Sequence, residues 1–316
     1  IEVGSGTYGF EYATSIAVIP GKEDVKELKT LLGSLEEKET NELLKKHFAS
    51  VKMMMEDQTH DIAWTRQDSL RASNVLNFFR NEGADWETYA EGPRPLMMSF
   101  KSPSDGKNSF YWLILPENFD SAKKDYSLYV ELHGSGGGKN NNPRRMLFYP
   151  LQPEVKGVTN QGYRKEGLMV HPWGRGDKWY RGQAETDIFE CLDHFDNLFE
   201  TDNTRQYLYG FSMGGGGTFK IAQKSMERWT AIGMYSAAMK EVTPEEAEKF
   251  KNMPVWMTWG EKEWRLTKIN RKLKDLLVEA GVDVKWTEVE GVGHRYLSEY
   301  QDDLMDWFLD KKKETM

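Results

Sequence analysis

The sequence predicts an α/β fold in which a mostly parallel sheet carries helices on both faces, with a helix-rich extension before it. From about residue 94 onward, short apolar segments alternate with amphipathic segments of helical spacing. This order is typical of a parallel sheet with crossover helices. Upstream, densely charged segments already have the apolar spacing of helices. A chain of 316 residues suits one large domain, alone or with a smaller one.

The composition and charge of the chain disfavour several classes of function. A net charge of -8 and a pI near 5.5 disfavour nucleic acid or an anionic membrane as partner. No apolar run approaches the roughly 20 residues of a membrane span. The single cysteine, Cys191, excludes an internal disulfide and a cysteine-based metal site. The chain begins without methionine, which we interpret as a removed signal peptide and a secreted or periplasmic protein, with the cytoplasm as the alternative.

The predicted extension, residues 1–93, contains one strand and three helices. These are a strand over 12–20 and helices over 22–33, 35–55 and 67–83. Gly33 is the predicted stop between the first two helices. Their apolar faces are too large to leave in water, so we expect the extension to pack on the rest of the chain. It would serve as a structural support or as a wall of the substrate cleft.

The second predicted domain, residues 94–316, contains the strand–helix alternation. The strands cover 95–100, 109–116, 126–134, 167–171, 205–212, 229–237, 254–261 and 283–291, and the helices cover 184–200, 217–226, 269–281 and 300–313. The first two strands flank KSPSDGKN, a sequence typical of a hairpin loop.

The segment GFSMG, residues 210–214, lies between a predicted strand and a predicted helix and fits the pattern G-x-S-x-G. In this setting the pattern indicates a nucleophile elbow, whose sharp turn exposes the serine hydroxyl. The glycines at 210, 214 and 215–217 let the helix start pack closely on the strands. The hydroxyl of Ser212 would then lie at a helix N-terminus, which favours developing negative charge. Ser212 is therefore the predicted nucleophile.

A serine nucleophile needs a base and an acid that orients the base. His294, in EGVGHRY, lies between the last predicted strand and the last helix and follows Ser212 in chain order. The acid is expected just past a strand end between them, where WGEKEW offers Glu261 and Glu263. We favour Glu263, because three residues after Gly260 the turn has room to aim a carboxylate at the histidine.

Two backbone N–H groups are needed to bind an oxyanion. One is that of Met213, directly after the nucleophile, and the other belongs to the glycine-rich loop ELHGSGGG, residues 131–138. We favour the N–H of Ser135, with Gly136 as the alternative. A phosphate-binding loop is disfavoured, because no Lys-Ser/Thr pair follows these glycines.

The segment HPWGRGDKWYRG, residues 171–182, follows a strand at the same edge of the sheet. Its aromatic and basic side chains are expected to shape the substrate site: Trp173, Arg175, Trp179 and Tyr180. The alternative is that Trp179 and Tyr180 pack beneath the following helix.

The segments LHGSGGG, GFSMGG, WGEKE and GVGHRY, in that order and spacing, resemble an α/β-hydrolase. More narrowly, GRGDKWYRGQAETDIFECLD resembles feruloyl-esterase-like and polyhydroxybutyrate-depolymerase-like enzymes, which are often grouped with prolyl-oligopeptidase-type hydrolases. The resemblance covers residues 95–312. It implies a Ser-His-Glu carboxylic ester hydrolase without metal or cofactor, whose relatives remove feruloyl or acetyl groups from plant cell-wall polysaccharides. Glu263 departs from the family, which more often has Asp there.

Two other functions stay open from the sequence. A serine peptidase of prolyl-oligopeptidase type has the same triad, although the helix-rich extension is not expected to form the propeller such peptidases use. A non-catalytic carbohydrate-binding protein could also use this fold, since fold alone does not define function.

Overall fold

The computed structural model describes residues 22–60, 68–70, 72–73, 76–77, 96–116, 119–136 and 167–313. The strands are β1 (Leu96–Lys101), β2 (Asn108–Ile114), β3 (Ser127–Leu132), β4 (Gly167–Pro172), β5 (Gln206–Phe211), β6 (Ala231–Tyr235), β7 (Val255–Gly260) and β8 (Val284–Val289). The helices are α1 (Lys22–Lys38), α2 (Glu42–Met55), α3 (Gln183–Asp196), α4 (Met213–Lys224), α5 (Pro244–Glu248), α6 (Arg265–Glu279) and α7 (Gln301–Leu309).

These strands form one sheet in the order β1-β2-β4-β3-β5-β6-β7-β8. β1 and β2 form the predicted antiparallel hairpin, β2 also pairs antiparallel with β4, and all pairs from β4 to β8 are parallel. The predicted α/β fold class is thereby confirmed. The carboxyl ends of the parallel strands meet at one edge of the sheet, so the loops that follow them lie close together.

Both faces of the sheet are covered. Side chains of α7, including Leu304 and Phe308, pack on tyrosines of β3 and β5 on one face. The larger apolar cluster contains buried residues of α3, α4 and α6, such as Ile188, Ile221 and Leu273. It extends to α1 and α2. Within the described residues, no helix combines the length and apolarity that crossing a bilayer requires.

The predicted stop at Gly33 is wrong, because α1 continues through Gly33 to Lys38. The break comes at Asn41, whose side-chain oxygen accepts hydrogen bonds from the N–H groups of Leu43 and Leu44 at 3.0 and 3.1 Å. An N-cap of this kind starts a helix independently of the glycine upstream. The predicted strand over 12–20 lies outside the described residues, as does much of the predicted helix over 67–83. The short helix α5, with its capping box at Thr243, was not predicted.

α2 lies against β1. The Nδ1 atom of His47 accepts a hydrogen bond from the N–H of Met97 at 2.8 Å, and the hydroxyl of Ser50 accepts one from the N–H of Ser99 at 2.9 Å. Several of the apolar residues predicted to pack inward are fully buried: Leu28, Leu32, Leu44 and Phe48. The division into domains at residue 93 stays a prediction.

Acid should weaken the α2–β1 contact through His47. Complete burial lowers the pKa of His47 to about 3. The unfolded chain takes up a proton on this residue below about pH 6.5, whereas the folded protein does not, so the free energy of unfolding falls as the pH drops from 6.5 toward 3. We expect His47 to account for about 2 kcal/mol of this loss by pH 5.

The test compares wild type with His47→Gln, which keeps a side-chain acceptor but has no titratable ring. Denaturant unfolding at pH 7 and pH 5 should show a smaller loss of stability in the variant. An identical loss in both proteins would contradict the assignment.

Candidate active site

Ser212 is the single residue between β5 and α4. Its backbone dihedrals are φ 56° and ψ −114°, a region that non-glycine residues rarely occupy. Backbone hydrogen bonds hold it there: its N–H donates to the carbonyl of Tyr235 at 2.9 Å, and its carbonyl accepts from Ala238 at 2.8 Å and Gly216 at 3.1 Å. The strained turn therefore fixes the direction in which the hydroxyl points.

The glycines after Ser212 are required by close contacts, not by backbone dihedrals. A Cβ added to Gly214 would lie 1.8 Å from the carbonyl oxygen of Leu132, and one added to Gly217 would lie 2.4 Å from the ring of Tyr180. The first turn of α4 thus presses directly on the end of β3. This brings the nucleophile beside the glycine-rich loop that follows β3.

His294 links the other two predicted triad residues. Its Nε2 atom lies 2.8 Å from the hydroxyl oxygen of Ser212, and its Nδ1 atom lies 3.3 Å from Oε2 of Glu263. The imidazole ring stacks on Phe211 with a centroid separation of 5.0 Å. A neutral imidazole in this position can accept the serine proton on one nitrogen while it donates to the carboxylate with the other.

Glu263 is fully buried, with a side-chain exposure of 0%. Its Oε1 atom accepts hydrogen bonds from the hydroxyl of Ser236 and from the N–H of Gly260, the latter at 2.7 Å. Oε2 is left to face His294. Glu261, the alternative acid, instead accepts a hydrogen bond from the N–H of Gly291 at 2.8 Å. The structure therefore brings Glu263, and not Glu261, to the histidine.

Three polar residues that the sequence analysis missed position the acid. Ser236 donates to Glu263, and the hydroxyl of Thr267 accepts from the N–H of Glu263 at 3.1 Å. Asn270 exchanges two hydrogen bonds with the backbone of Ala237, beside Ser236. Ser236 follows β6 at the carboxyl edge of the sheet, next to the strand that leads to the acid. That placement is the only sequence signal that could have identified it.

The candidate oxyanion site is formed by two chain segments. Met213 is the first residue of α4, and the first N–H groups of a helix have no intrahelical acceptor. The loop after β3 contacts β5, since a Cβ on Gly134 would lie 3.0 Å from the ring of Phe211. The N–H of Gly136, the alternative donor, already donates a hydrogen bond to Oδ1 of Asp177 at 3.1 Å. The geometry therefore favours Ser135 as the second donor.

Trp173 and Arg175 do not line an open site, because their side chains are buried. The ring of Trp173 stacks on Phe110 at 5.5 Å and is 2% exposed. Arg175 is 7% exposed, and its Nε atom donates to the buried carboxylate of Asp187 at 2.7 Å. Both side chains hold the loop to the sheet and to α3. The structure gives both side chains partners inside the fold, and their contact with substrate stays a prediction.

Tyr180 is also buried, and its hydroxyl donates to the carbonyl oxygen of His133 at 2.9 Å. Its ring fills the space that a side chain at position 217 would need. Tyr180 therefore supports α4 and the glycine-rich loop from the interior, and its contact with substrate stays a prediction. Trp179 is 44% exposed, so its role as a substrate contact stays a prediction.

A partly buried acid–histidine pair lies on β3 and β4, Glu131 just before the glycine-rich loop. Oε2 of Glu131 accepts a hydrogen bond from Tyr209 at 2.9 Å and lies 3.2 Å from Nδ1 of His171. Burial raises the pKa of Glu131 to about 7 and lowers the pKa of His171 to about 4. Both shifts are toward the uncharged forms of the two groups.

Among the residues that the structure describes, no cluster of three or more His, Cys, Asp or Glu side chains could hold a metal ion. The chemistry that the described site offers is that of a serine, a histidine, a carboxylate and backbone N–H groups.

The fold is similar to that of several solved hydrolases. The chain matches a thermostable esterase with a TM-score of 0.55 at 20% identity, covering 70% of this chain and 64% of the esterase. A ferulic acid esterase matches with a TM-score of 0.51 at 16% identity, covering 69% and 96%. S-formylglutathione hydrolase FrmB from Staphylococcus aureus matches with a TM-score of 0.52 at 16% identity, covering 69% and 98%. The protein has the α/β-hydrolase fold.

Sequence comparison gives a more limited match. Dipeptidyl-peptidase 5 of Porphyromonas gingivalis is 26% identical over 159 residues, which cover 45% of this chain and 22% of the peptidase. The match thus spans less than a quarter of that protein's length. No family model matches the chain.

Proposed function

We propose that the protein is a serine carboxylic ester hydrolase that removes feruloyl or acetyl groups from plant cell-wall polysaccharides or oligosaccharides. The observation that carries the proposal is the 2.8 Å contact between Nε2 of His294 and the hydroxyl oxygen of Ser212. With Glu263 on the other nitrogen, this is the geometry by which a serine hydroxyl is activated.

In the proposed reaction, His294 takes the proton of Ser212 as the serine oxygen attacks the ester carbonyl carbon. The carbonyl oxygen becomes an oxyanion, which accepts hydrogen bonds from the N–H groups of Met213 and Ser135. Glu263 orients His294 and stabilises the imidazolium that forms. The imidazolium then gives its proton to the departing alcohol, and the C–O bond of the ester breaks. An acyl-enzyme on Ser212 remains.

Water completes the cycle. His294 removes a proton from the water as its oxygen attacks the acyl carbon, and the same N–H groups bind the second oxyanion. Collapse of this intermediate returns the proton to the oxygen of Ser212 and releases the carboxylic acid. The buried carboxylate of Glu263 keeps its two donors throughout, so it need not move between the two half-reactions.

A serine peptidase is the second candidate, and the 26% identity with a dipeptidyl-peptidase favours it. The chemistry of the two candidates differs only in the leaving group. The esterase proposal draws its substrate class from the resemblance to feruloyl-esterase-like enzymes. A location outside the cytoplasm would bring the enzyme to such polymers.

The deciding experiment measures kcat/KM on p-nitrophenyl acetate, methyl ferulate, a feruloylated oligosaccharide and dipeptidyl and prolyl p-nitroanilides. We expect ester hydrolysis to exceed amide hydrolysis by on the order of 10²-fold or more. Faster turnover of a p-nitroanilide would assign the protein to the peptidases. If the wild-type protein hydrolyses neither class, the esterase proposal fails and the non-catalytic alternative is favoured.

A further inference from the structure

Trp264, in the turn between β7 and α6, is unfavourable in two respects: its side chain is exposed to solvent and its backbone conformation is strained. Trp264 follows Glu263 directly, and its side chain is 93% exposed. Its dihedrals are φ 56° and ψ −113°, nearly those of Ser212 at φ 56° and ψ −114°. A bulky residue in this conformation is strained, whereas glycine would adopt it freely.

Burial of the indole does not offset these two properties. A large apolar side chain stabilises a protein when it is buried, and the indole of Trp264 is in water. Arg175, Tyr180 and Ser236, which also have positive φ, have buried side chains with defined partners, whereas Trp179 shares with Trp264 both a positive φ and an exposed ring, 44% exposed against 93%. Residues held in such strained conformations cluster at sites of function. The position of Trp264 therefore indicates a ligand contact.

An open cavity of about 430 Å³ adjoins this indole. Its lining consists of Glu261, Lys262, Trp264, Thr267, Lys268 and Arg271. The lining thus has three cations against one carboxylate, in a chain whose net charge is -8. Arg271 is neutralised by Glu288. Within the described part of the chain, neither Lys262 nor Lys268 forms an ion pair, although the charge of Lys268 also acts on Glu241, the ion-pair partner of Lys272.

The same turn is fixed to the loop that carries His294. The N–H of Lys262 donates to the carbonyl of Val292 at 2.8 Å, and Glu261 accepts from the N–H of Gly291 at 2.8 Å. Trp264 is thus held in a constant position relative to the triad, on its acid side. A ligand bound here would lie on the acid side of the triad, apart from Ser212, which does not line the cavity.

We propose that Trp264, Lys262 and Lys268 form a subsite for a sugar residue that bears a carboxylate, as in a uronic acid unit of the polysaccharide. This subsite rests on the proposed function and specifies its substrate. A pyranose ring has one face of C–H bonds, which can lie flat on an indole while the hydroxyl groups stay in water. The ammonium groups of the two lysines bind the carboxylate. The N-terminus of α6 adds a favourable dipole.

The test uses Trp264→Gly, which removes the indole and suits the backbone conformation. The substrates are a feruloylated oligosaccharide with a uronic acid unit, its neutral counterpart, methyl ferulate and p-nitrophenyl acetate. We expect kcat/KM on the acidic oligosaccharide to fall by about tenfold through KM, with the two small esters within about twofold of wild type. The double variant with Lys262→Gln and Lys268→Gln should lose the preference for the acidic over the neutral oligosaccharide.

Trp286→Ala is the matched control, because Trp286 is a half-exposed tryptophan on β8 outside this cavity. It should leave all four rates unchanged. The melting temperature of Trp264→Gly should be no lower than that of wild type. A lower melting temperature would assign the indole a structural role and overturn the proposal. An equal loss on methyl ferulate would place the acyl group on the indole and overturn it as well.

Failure of the subsite can be separated from failure of the esterase assignment. Hydrolysis of p-nitrophenyl acetate by wild type decides the latter. Isothermal titration calorimetry with the unesterified acidic oligosaccharide tests the subsite independently of turnover. Binding that Trp264→Gly weakens supports the subsite, whereas no binding, or equal binding by both proteins, overturns it.

Discussion

Ser212→Ala is expected to lower kcat for ester hydrolysis by on the order of 10⁴-fold or more. The alanine side chain cannot form the acyl-enzyme, although the oxyanion donors and the histidine remain. Activity is measured with p-nitrophenyl acetate. Labelling of the wild-type enzyme by a fluorophosphonate, followed by mass spectrometry, should place a single adduct on Ser212, and the variant should acquire none.

The fold should survive this substitution, because the hydrogen bonds that hold residue 212 involve its backbone alone. Circular dichroism and the melting temperature provide the control. If the folded variant kept a tenth of the wild-type activity, Ser212 would not be the nucleophile.

Glu263→Gln is expected to reduce kcat by roughly 10³- to 10⁴-fold. A neutral amide cannot stabilise the imidazolium of His294, and its NH₂ group can force the wrong tautomer on the ring. The amide oxygen can still accept the hydrogen bonds from Ser236 and Gly260, so the turn should keep its shape. Steady-state kinetics on a small ester provide the measurement.

Glu261→Gln is the matched control for the acid. It changes the same residue type two positions away, and its recorded partner is the N–H of Gly291 in the loop before His294. We expect its kcat to stay within about threefold of wild type. A larger loss in Glu261→Gln than in Glu263→Gln would transfer the role of the acid to Glu261.

The sequence was most informative where function depends on local turn chemistry. The pattern of Gly210, Ser212 and Gly214 predicts a strand–turn–helix segment from the local sequence alone. The chain order serine, acid, histidine then restricts the candidates for the acid and the base to residues after Ser212. The sequence alone did not show how the side chain of Glu263, which is longer than the aspartate more common in the family, would be placed beside His294. The structure buries the carboxylate of Glu263 within an otherwise exposed turn, and Thr267 holds the N–H of Glu263.

The sequence was least informative where a residue's role depends on distant partners. Arg175 and Tyr180 have the composition of a binding loop, yet Asp187 and the helix at Gly217 draw them into the interior. Ser236 and Asn270 lie 27 and 7 residues from Glu263 in sequence and belong to no pattern. Whether such side chains are buried depends on how several helices and loops pack together, and the residue pattern of a single segment does not predict that packing.

The contact between α2 and β1 has a consequence for association between molecules. β1 is the outermost strand on its side of the described sheet, and an open strand edge is a template for pairing with a strand of another chain. His47 and Ser50 already occupy the outward N–H groups of Met97 and Ser99. α2 therefore blocks this edge against intermolecular pairing. A shortened chain without α2 would expose these donors, and its first defect would be concentration-dependent aggregation, even while the triad, whose residues follow β5, β7 and β8, stayed intact.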